Sequence, residues 1–231
     1  MEHFVNQPFL AKRAKIARWG SYVGLGALFI GLMISMRYPL LSYAFLLIGL
    51  LGAAIGSYMA NHYVREPRAD QVLAQALDGL DKRYALYSYY LPSNHVLASH
   101  LGLTVLEPRA QSGEVTFQKG RWHHRAGWRK VLQIFGEPTL GRPDQDLLQE
   151  IKWVKDWIEK AMPDEEIPVN GVIVFTNPQV ALHLNDQPPV PAVTAEELPR
   201  FLKEGLREMP VLTTAKQKAL RRLLDDVVAQ E

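Results

Sequence analysis

The stretch Asn94-His95-Val96-Leu97-Ala98-Ser99-His100-Leu101-Gly102-Leu103-Thr104-Val105-Leu106-Glu107-Pro108-Arg109 decides how the rest of this chain is read. Two short apolar runs, residues 95–99 and 103–107, flank a small connection containing Gly102. Runs of this length bounded by turn residues read as strands, and so short a connection joins them as an antiparallel hairpin. Centred on His100-Leu101, the hairpin pairs residues whose numbers sum to about 201. Asn94 then stands across from Glu107. Side chains alternate with period two, so Glu107 and Arg109 share a face. Three polar groups converge at one end of an apolar hairpin, which core packing alone does not require.

Outward from the hairpin, the chain is polar, mixed and punctuated by proline. Residues 69–80 carry apolar side chains at 72, 73, 76, 77 and 80, a helical spacing. Residues 84–91 are aromatic-rich and read as a strand that ends at a Pro92-Ser93 turn. Gly113 opens a strand pair, 114–119 and 121–125, turned at Gly120. Pro143, at a first helical position, starts a helix to about Met162 with Leu147, Ile151, Val154, Trp157 and Ile158 on one face. Residues 169–176 follow Pro168 as an almost continuous apolar run, the pattern of a buried strand. Thr194 with Glu197, and Thr214 with Gln217, have capping-box spacing and begin two further helices. The element order predicts one α/β domain over residues 69–206 and a C-terminal helix over 207–231.

The N-terminal part differs in kind. The whole chain, 231 residues with 26 Lys+Arg and 24 Asp+Glu, has a net charge of +2 and no global field. Zero cysteines exclude a disulfide scaffold, a Cys-ligated zinc site and thiol catalysis. The mean hydropathy of −0.10 averages two unlike pieces. Residues 1–68 hold seven basic and two acidic residues, and the remainder 19 basic and 22 acidic. Neither 19–36 nor 38–64 contains Asp, Glu, Lys or Arg. At about 1.5 Å per residue, roughly 18–21 helical residues span a hydrocarbon core of about 30 Å. With only Arg37-Tyr38-Pro39 between them, the runs predict a transmembrane hairpin of helices 19–36 and 39–62, after a basic N-terminal segment 1–18. Lys12, Arg13, Lys15 and Arg18 precede the first span, and Arg65 and Arg68 follow the second. The positive-inside rule therefore predicts a cytoplasmic-membrane protein with both termini in the cytoplasm. Trp19, Tyr38, Tyr58 and Tyr63 lie near the boundaries, where amphipathic rings are favoured. Gly20-x-x-x-Gly24 and Gly52-x-x-x-Gly56 suit close helix approach, between these two helices or in a homodimer.

The hairpin at 94–109 resembles the central motif of the nuclease-related (NERD) domain, a branch of the PD-(D/E)xK restriction-endonuclease-like fold. That motif has an Asp-His pair, an apolar strand, a Gly turn, a second apolar strand and Glu-x-Lys. Ala69-Asp70-Gln71-Val72 with Leu77 is similar to the family's first-helix motif. Gly113-Glu114-Val115 through Gly120-Arg121-Trp122 resembles its next strand pair, Arg142-Pro143-Asp144-Gln145 the start of its next helix, and residues 171–177 its late core strand. The similarity covers about residues 69–206. It implies a mixed central sheet flanked by helices, here preceded by the membrane hairpin. It also implies a site made of Asp70, Asn94, Glu107, Arg109 and Gln145, with Asp70 and Glu107 as ligands of a Mg²⁺ cofactor.

The departures bear on chemistry. Asn94 replaces a carboxylate, Asp70 is one methylene shorter than glutamate, and Arg109 stands where the family has lysine. A guanidinium with a pKa above about 12 holds phosphate but is no general base. Metal-assisted cleavage needs a bound cation to generate hydroxide. The expectation is a catalytically weak or inactive nuclease-related domain that acts as a nucleic-acid-binding or scaffolding module. The alternatives are an active Mg²⁺-dependent endonuclease with a variant site, and a structural membrane protein that binds another protein. Nucleic-acid contact falls on Lys119, Arg121, Trp122, Arg125, Arg129 and Lys130. Cations interleaved with indoles, here Trp122 and Trp128, suit phosphate contact and base stacking. The same cations near an anionic bilayer surface attract lipid. His123-His124 face opposite ways on a strand and make no metal pair. Trp153 and Trp157 read as helix packing. Phosphate-loop, dinucleotide-binding, nucleophile-elbow and zincin motifs are absent from the sequence.

Overall fold

The computed structural model describes residues 1–125, 139–205 and 210–230. It comprises two compact units, Gln7–Arg68 and the combination of Met1–Asn6 with Ala69–Glu231.

The first unit is a helical hairpin of α1 (Gln7–Ile34) and α2 (Pro39–Tyr63). Pro39 occupies the first turn of α2, where its missing N–H and fixed φ fit a helix start. Buried small residues recur every seventh position, at Ala17, Gly24 and Gly31 on α1 and at Ser42, Gly49 and Gly56 on α2. A Cβ on Gly24 would lie 2.5 Å from Ala53 N, so the two backbones meet there with no room for a side chain. Ser42 Oγ donates to the Gly31 carbonyl at 2.7 Å and ties the two helices near the turn. Both glycine motifs are therefore used within the hairpin. The outer faces stay apolar and bare, with Phe29 65% and Leu40 87% exposed. Both helices are long and apolar enough to cross a membrane. The first begins twelve residues before its expected start at 19, so the basic segment is mostly helical. There Arg13 lies over the Phe9 ring, 4.9 Å from its centroid, and over that of Tyr63.

The second unit is mixed α/β. Its main sheet has the order β1 (Glu2–Val5), β2 (Ala85–Ser88), β3 (His95–Ser99), β4 (Gly102–Arg109), β7 (Val169–Phe175), β9 (Ala192–Thr194). β2, β3 and β4 pair antiparallel, whereas β1–β2, β4–β7 and β7–β9 are parallel. A smaller sheet has the order β6 (Arg121–Arg125), β5 (Gly113–Gln118), β8 (Val180–Leu184). Leu73 of α3 (Ala69–Ala76), Leu77 just after it and Leu198 of α5 (Leu198–Arg200) pack with Leu86, Leu97, Leu106 and Val172 on one face. On the other face, Leu147, Val154 and Ile158 of α4 (Pro143–Ala161) join Leu220 and Leu224 of α6 (Thr214–Ala229) over Val96, Val105 and Ile173. Three layers result.

The hairpin at 94–109 forms in the expected register, with Val96↔Val105, Leu97↔Thr104, Ala98↔Leu103 and Ser99↔Gly102. Gly102 has φ +120°, and a Cβ there would fall on the Pro168 carbonyl oxygen, to which Leu103 N donates at 2.9 Å. The β5–β6 turn also forms, with φ +52° at Lys119 and +69° at Gly120, the signs a two-residue primed hairpin turn needs.

Several boundaries move. The helix expected over 69–80 ends at Ala76, and the strand expected over 84–91 is trimmed to Ala85–Ser88. Glu197 caps Thr194 through contacts of 3.0 Å to its N and Oγ1, but the helix that follows is short and widens at Phe201–Gly205. α6 is capped by Thr213, whose Oγ1 accepts from Lys216 N, and not by a Thr214–Gln217 box. β1, β8 and β9 carry no strong strand pattern and are not expected from the sequence. β1 matters most, because it makes Met1–Asn6 part of the α/β unit on the far side of the hairpin in sequence.

Candidate functional site

β4 and α4 build a charged cluster. Glu107 and Arg109 continue the alternation of Leu103 and Val105 and project toward the face covered by α4. Asp146 and Glu150, one helical turn apart on α4, meet them there. Arg109 Nη2 lies 2.8 Å from Glu107 Oε1 and 2.5 Å from Asp146 Oδ2. Ser93 Oγ donates to Glu150 Oε2 at 2.6 Å. Glu107 and Glu150 also hydrogen-bond each other, which requires a proton on one of them.

The electrostatics follow from burial. Glu107 is 13% exposed at its side chain. Desolvation, then the charge of Glu150, pushes its carboxyl up to about 8 against the pull of Arg109. Burial raises Glu150 too, opposed by its hydrogen bonds from Ser93 and Glu107. Two carboxylates this close share one proton, and the pair titrates as a unit. Near neutral pH the Glu107–Glu150 pair therefore holds a single proton beside the Arg109 guanidinium.

The other residues named by the sequence lie differently. Asp70, 1% exposed, takes the Tyr89 hydroxyl at 3.4 Å, and its charge acts on His95. Around it, Ser88 Oγ contacts His3 Nε2 at 3.3 Å and His95 Nδ1 at 3.2 Å, and Asn6 Nδ2 donates to the Tyr89 carbonyl. Burial lowers His95 to about 4 and keeps its ring neutral. Asp70 thus sits in a buried polar cluster that fastens β1 to β2 and β3, while Glu150, Arg109 and Asp146 are the charges that act on Glu107. Asn94 is exposed, and its carbonyl accepts from Tyr89 N at 2.7 Å. Gln145 is exposed too and takes Arg142 Nη1 at 3.3 Å, so its neighbours Asp146 and Glu150 are what reach the Arg109 cluster.

These residues do not fit a Mg²⁺ ion. The oxygens of Glu107 are engaged by Arg109 and Glu150, and a hard divalent cation needs open, ionised carboxylate oxygens. Among the described residues, no group of three or more His, Asp or Glu side chains is arranged to hold a metal.

On β6, Arg121, His123 and Arg125 are exposed on one face. Trp122 turns the other way, 4.9 Å from the Phe117 ring and 6.0 Å from that of Phe175, where it packs and offers no stacking platform. Lys119 sits exposed at the hairpin tip, its N–H donating to Asp186. Arg129, Lys130 and Trp128 lie outside the described residues.

The chain matches no protein-family model, no curated protein and no solved structure. The chemistry of the site itself therefore carries the functional reading. Sequence reasoning missed Asp146 and Glu150. The signal was there: two acids at i and i+4 beside the apolar stripe of Leu147, Ile151 and Val154, facing a strand position occupied by arginine.

Proposed function

We propose that this chain is a membrane-tethered, nuclease-related domain that binds nucleic acid without cleaving it. The observation that carries the reading is Arg109, in the position where the family motif has lysine, bonded to Glu107 at 2.8 Å and Asp146 at 2.5 Å. A guanidinium in that place accepts no proton from water and fills the space that a cation would need. The hairpin supports the tether, since its bare apolar faces suit lipid. β1 supports an even number of crossings, because Glu2–Val5 pairs with Ala85–Ser88 and the two must share a compartment. With basic flanks at both hairpin ends, that compartment is the cytoplasm. For binding, Lys119, Arg121 and Arg125 form an exposed cationic strand-and-turn surface suited to phosphates.

The test is a fluorescence titration of the detergent-solubilised chain with labelled DNA and RNA, with strand integrity checked in the same samples with Mg²⁺ or Mn²⁺ present. Affinity should fall with salt, and replacing Arg121 and Arg125 with glutamine should lower the slope of log K against log salt by about 1 per charge. Strands should stay intact. A salt-independent affinity, or metal-dependent cleavage, contradicts the reading.

A further inference from the structure

We infer that the groove between α6 and the β2–β3 strand pair is a binding site for a small organic anion with an apolar body, about the size of benzoate. The cavity arises from sequence. Ala85 and Ala98 stand directly opposite each other in the antiparallel register, and two such small side chains leave space beneath Leu220 and Leu224 of α6. Its volume is about 190 Å³. An apolar cavity of roughly 150 Å³ accommodates benzene, so this one has room for a ring and a carboxylate.

The lining sets the sign of the ligand. Among the described residues Lys82, Arg83 and Arg221 line the cavity and no acidic residue does, while the charges of Asp225 and Glu2 act on Tyr87 from beyond the lining. Arg83 is paired with Asp81 and Arg221 with Glu2, whereas exposed Lys82 has no partner among the described residues. Two neutral polar groups add to this. Tyr87, 1% exposed, lines the cavity with its phenol. Burial pushes that phenol up to about 12, so it remains a donor at neutral pH. His100 also lines the cavity, and its Nδ1 is buried without a partner. Burial, then the charge of Arg83, lowers this imidazole and favours its neutral form, which donates from Nδ1 in one tautomer. An apolar floor, the Tyr87 phenol and a cationic rim suit an amphipathic anion in preference to a neutral ring or an inorganic ion.

Fluorine NMR of 4-fluorobenzoate with the full chain in neutral detergent micelles tests the site. Saturable binding, displaced by benzoate and at least about tenfold less well by neutral benzamide, is expected. Filling the floor with Ala98→Leu should weaken binding at least about tenfold. Lys82→Met, at an exposed position with no partner to lose, should weaken it up to about fivefold with an unchanged melting curve. If Ala98→Leu fails to fold, Lys82→Met together with the benzamide comparison decides. A linear, non-saturating response, equal displacement by benzamide, or unaltered affinity in a folded Lys82→Met variant overturns the proposal.

Discussion

The Arg109 guanidinium has carboxylates from both β4 and α4 within reach, and Glu107, which it touches, is largely out of solvent. Removing the cation leaves those acids facing one another without compensation. Arg109→Met should destabilise the domain by about 3 kcal/mol in denaturant titrations. Asp146→Asn should cost less than about 1 kcal/mol, because Asp146 is 53% exposed and screened by water. Two titrating groups pull stability in opposite directions. Burial lowers His95 from 6.5 to about 4, so the unfolded chain binds its proton first. That contribution is whole above pH 6.5 and disappears as pH falls toward 4, a loss of roughly 3 kcal/mol. Glu107 is raised, so the folded chain binds its proton first; its contribution is whole below 4.5 and is lost as pH rises through about 8. Urea midpoints measured against pH should therefore stay level between about pH 4.5 and 6.5, where the two contributions offset each other, and fall as pH rises from 6.5 toward 8. His95→Gln should turn the level stretch into a fall with rising pH, and Glu107→Gln should turn it into a rise.

Among the elements, the β3–β4 hairpin and α4 are legible in the sequence because each carries its own punctuation. Gly102 closes the hairpin, Pro143 starts the helix, and the alternation on β4 places Glu107 with Arg109. Asp70 is less legible. Helical spacing puts it correctly on α3, but its partners Tyr89, just past β2, and His95 of β3 reach it only through tertiary packing. β1 is hidden for a different reason: four residues between a terminus and a helix show too few alternations to be recognised, and their pairing with β2 reaches across a gap of some eighty residues. In the helical hairpin, glycine spacing is legible, but its choice between an internal contact and a dimer is not. Gly24→Leu, meeting Ala53 N and the Gly49 carbonyl, should force α1 and α2 apart. A cost of about 1–3 kcal/mol, typical of overpacking, should appear as a lower melting temperature in detergent. Gly26→Leu, whose Cβ meets nothing within 4 Å, should leave melting unchanged.

For the whole molecule, two units share one chain. The α/β sheet contains residues from before and after the hairpin, so the chain leaves the sheet for the hairpin and returns to it. The chain has no cysteine, which makes single-cysteine labelling unambiguous. Cysteines placed singly at His123, on the exposed face of β6, and at Gln230 should both react with an impermeant maleimide in inverted vesicles and resist it in right-side-out cells. A Cys at Arg37, between the spans, should show the reverse pattern. Labelling of all three from one side would remove the transmembrane assignment and leave the hairpin lying on a surface.

On the proposed reading, the Arg109 guanidinium fills the place of a divalent cation, and Mn²⁺ titration followed by electron paramagnetic resonance measures the consequence directly. The full chain in detergent should leave the free Mn²⁺ signal undiminished into the millimolar range, the order at which binding free energy drops to about 4 kcal/mol. Asn94→Asp combined with Arg109→Lys should introduce saturable loss of that signal. A saturable Mn²⁺ site in the unaltered chain, abolished by Glu107→Gln, would contradict this assignment of Arg109.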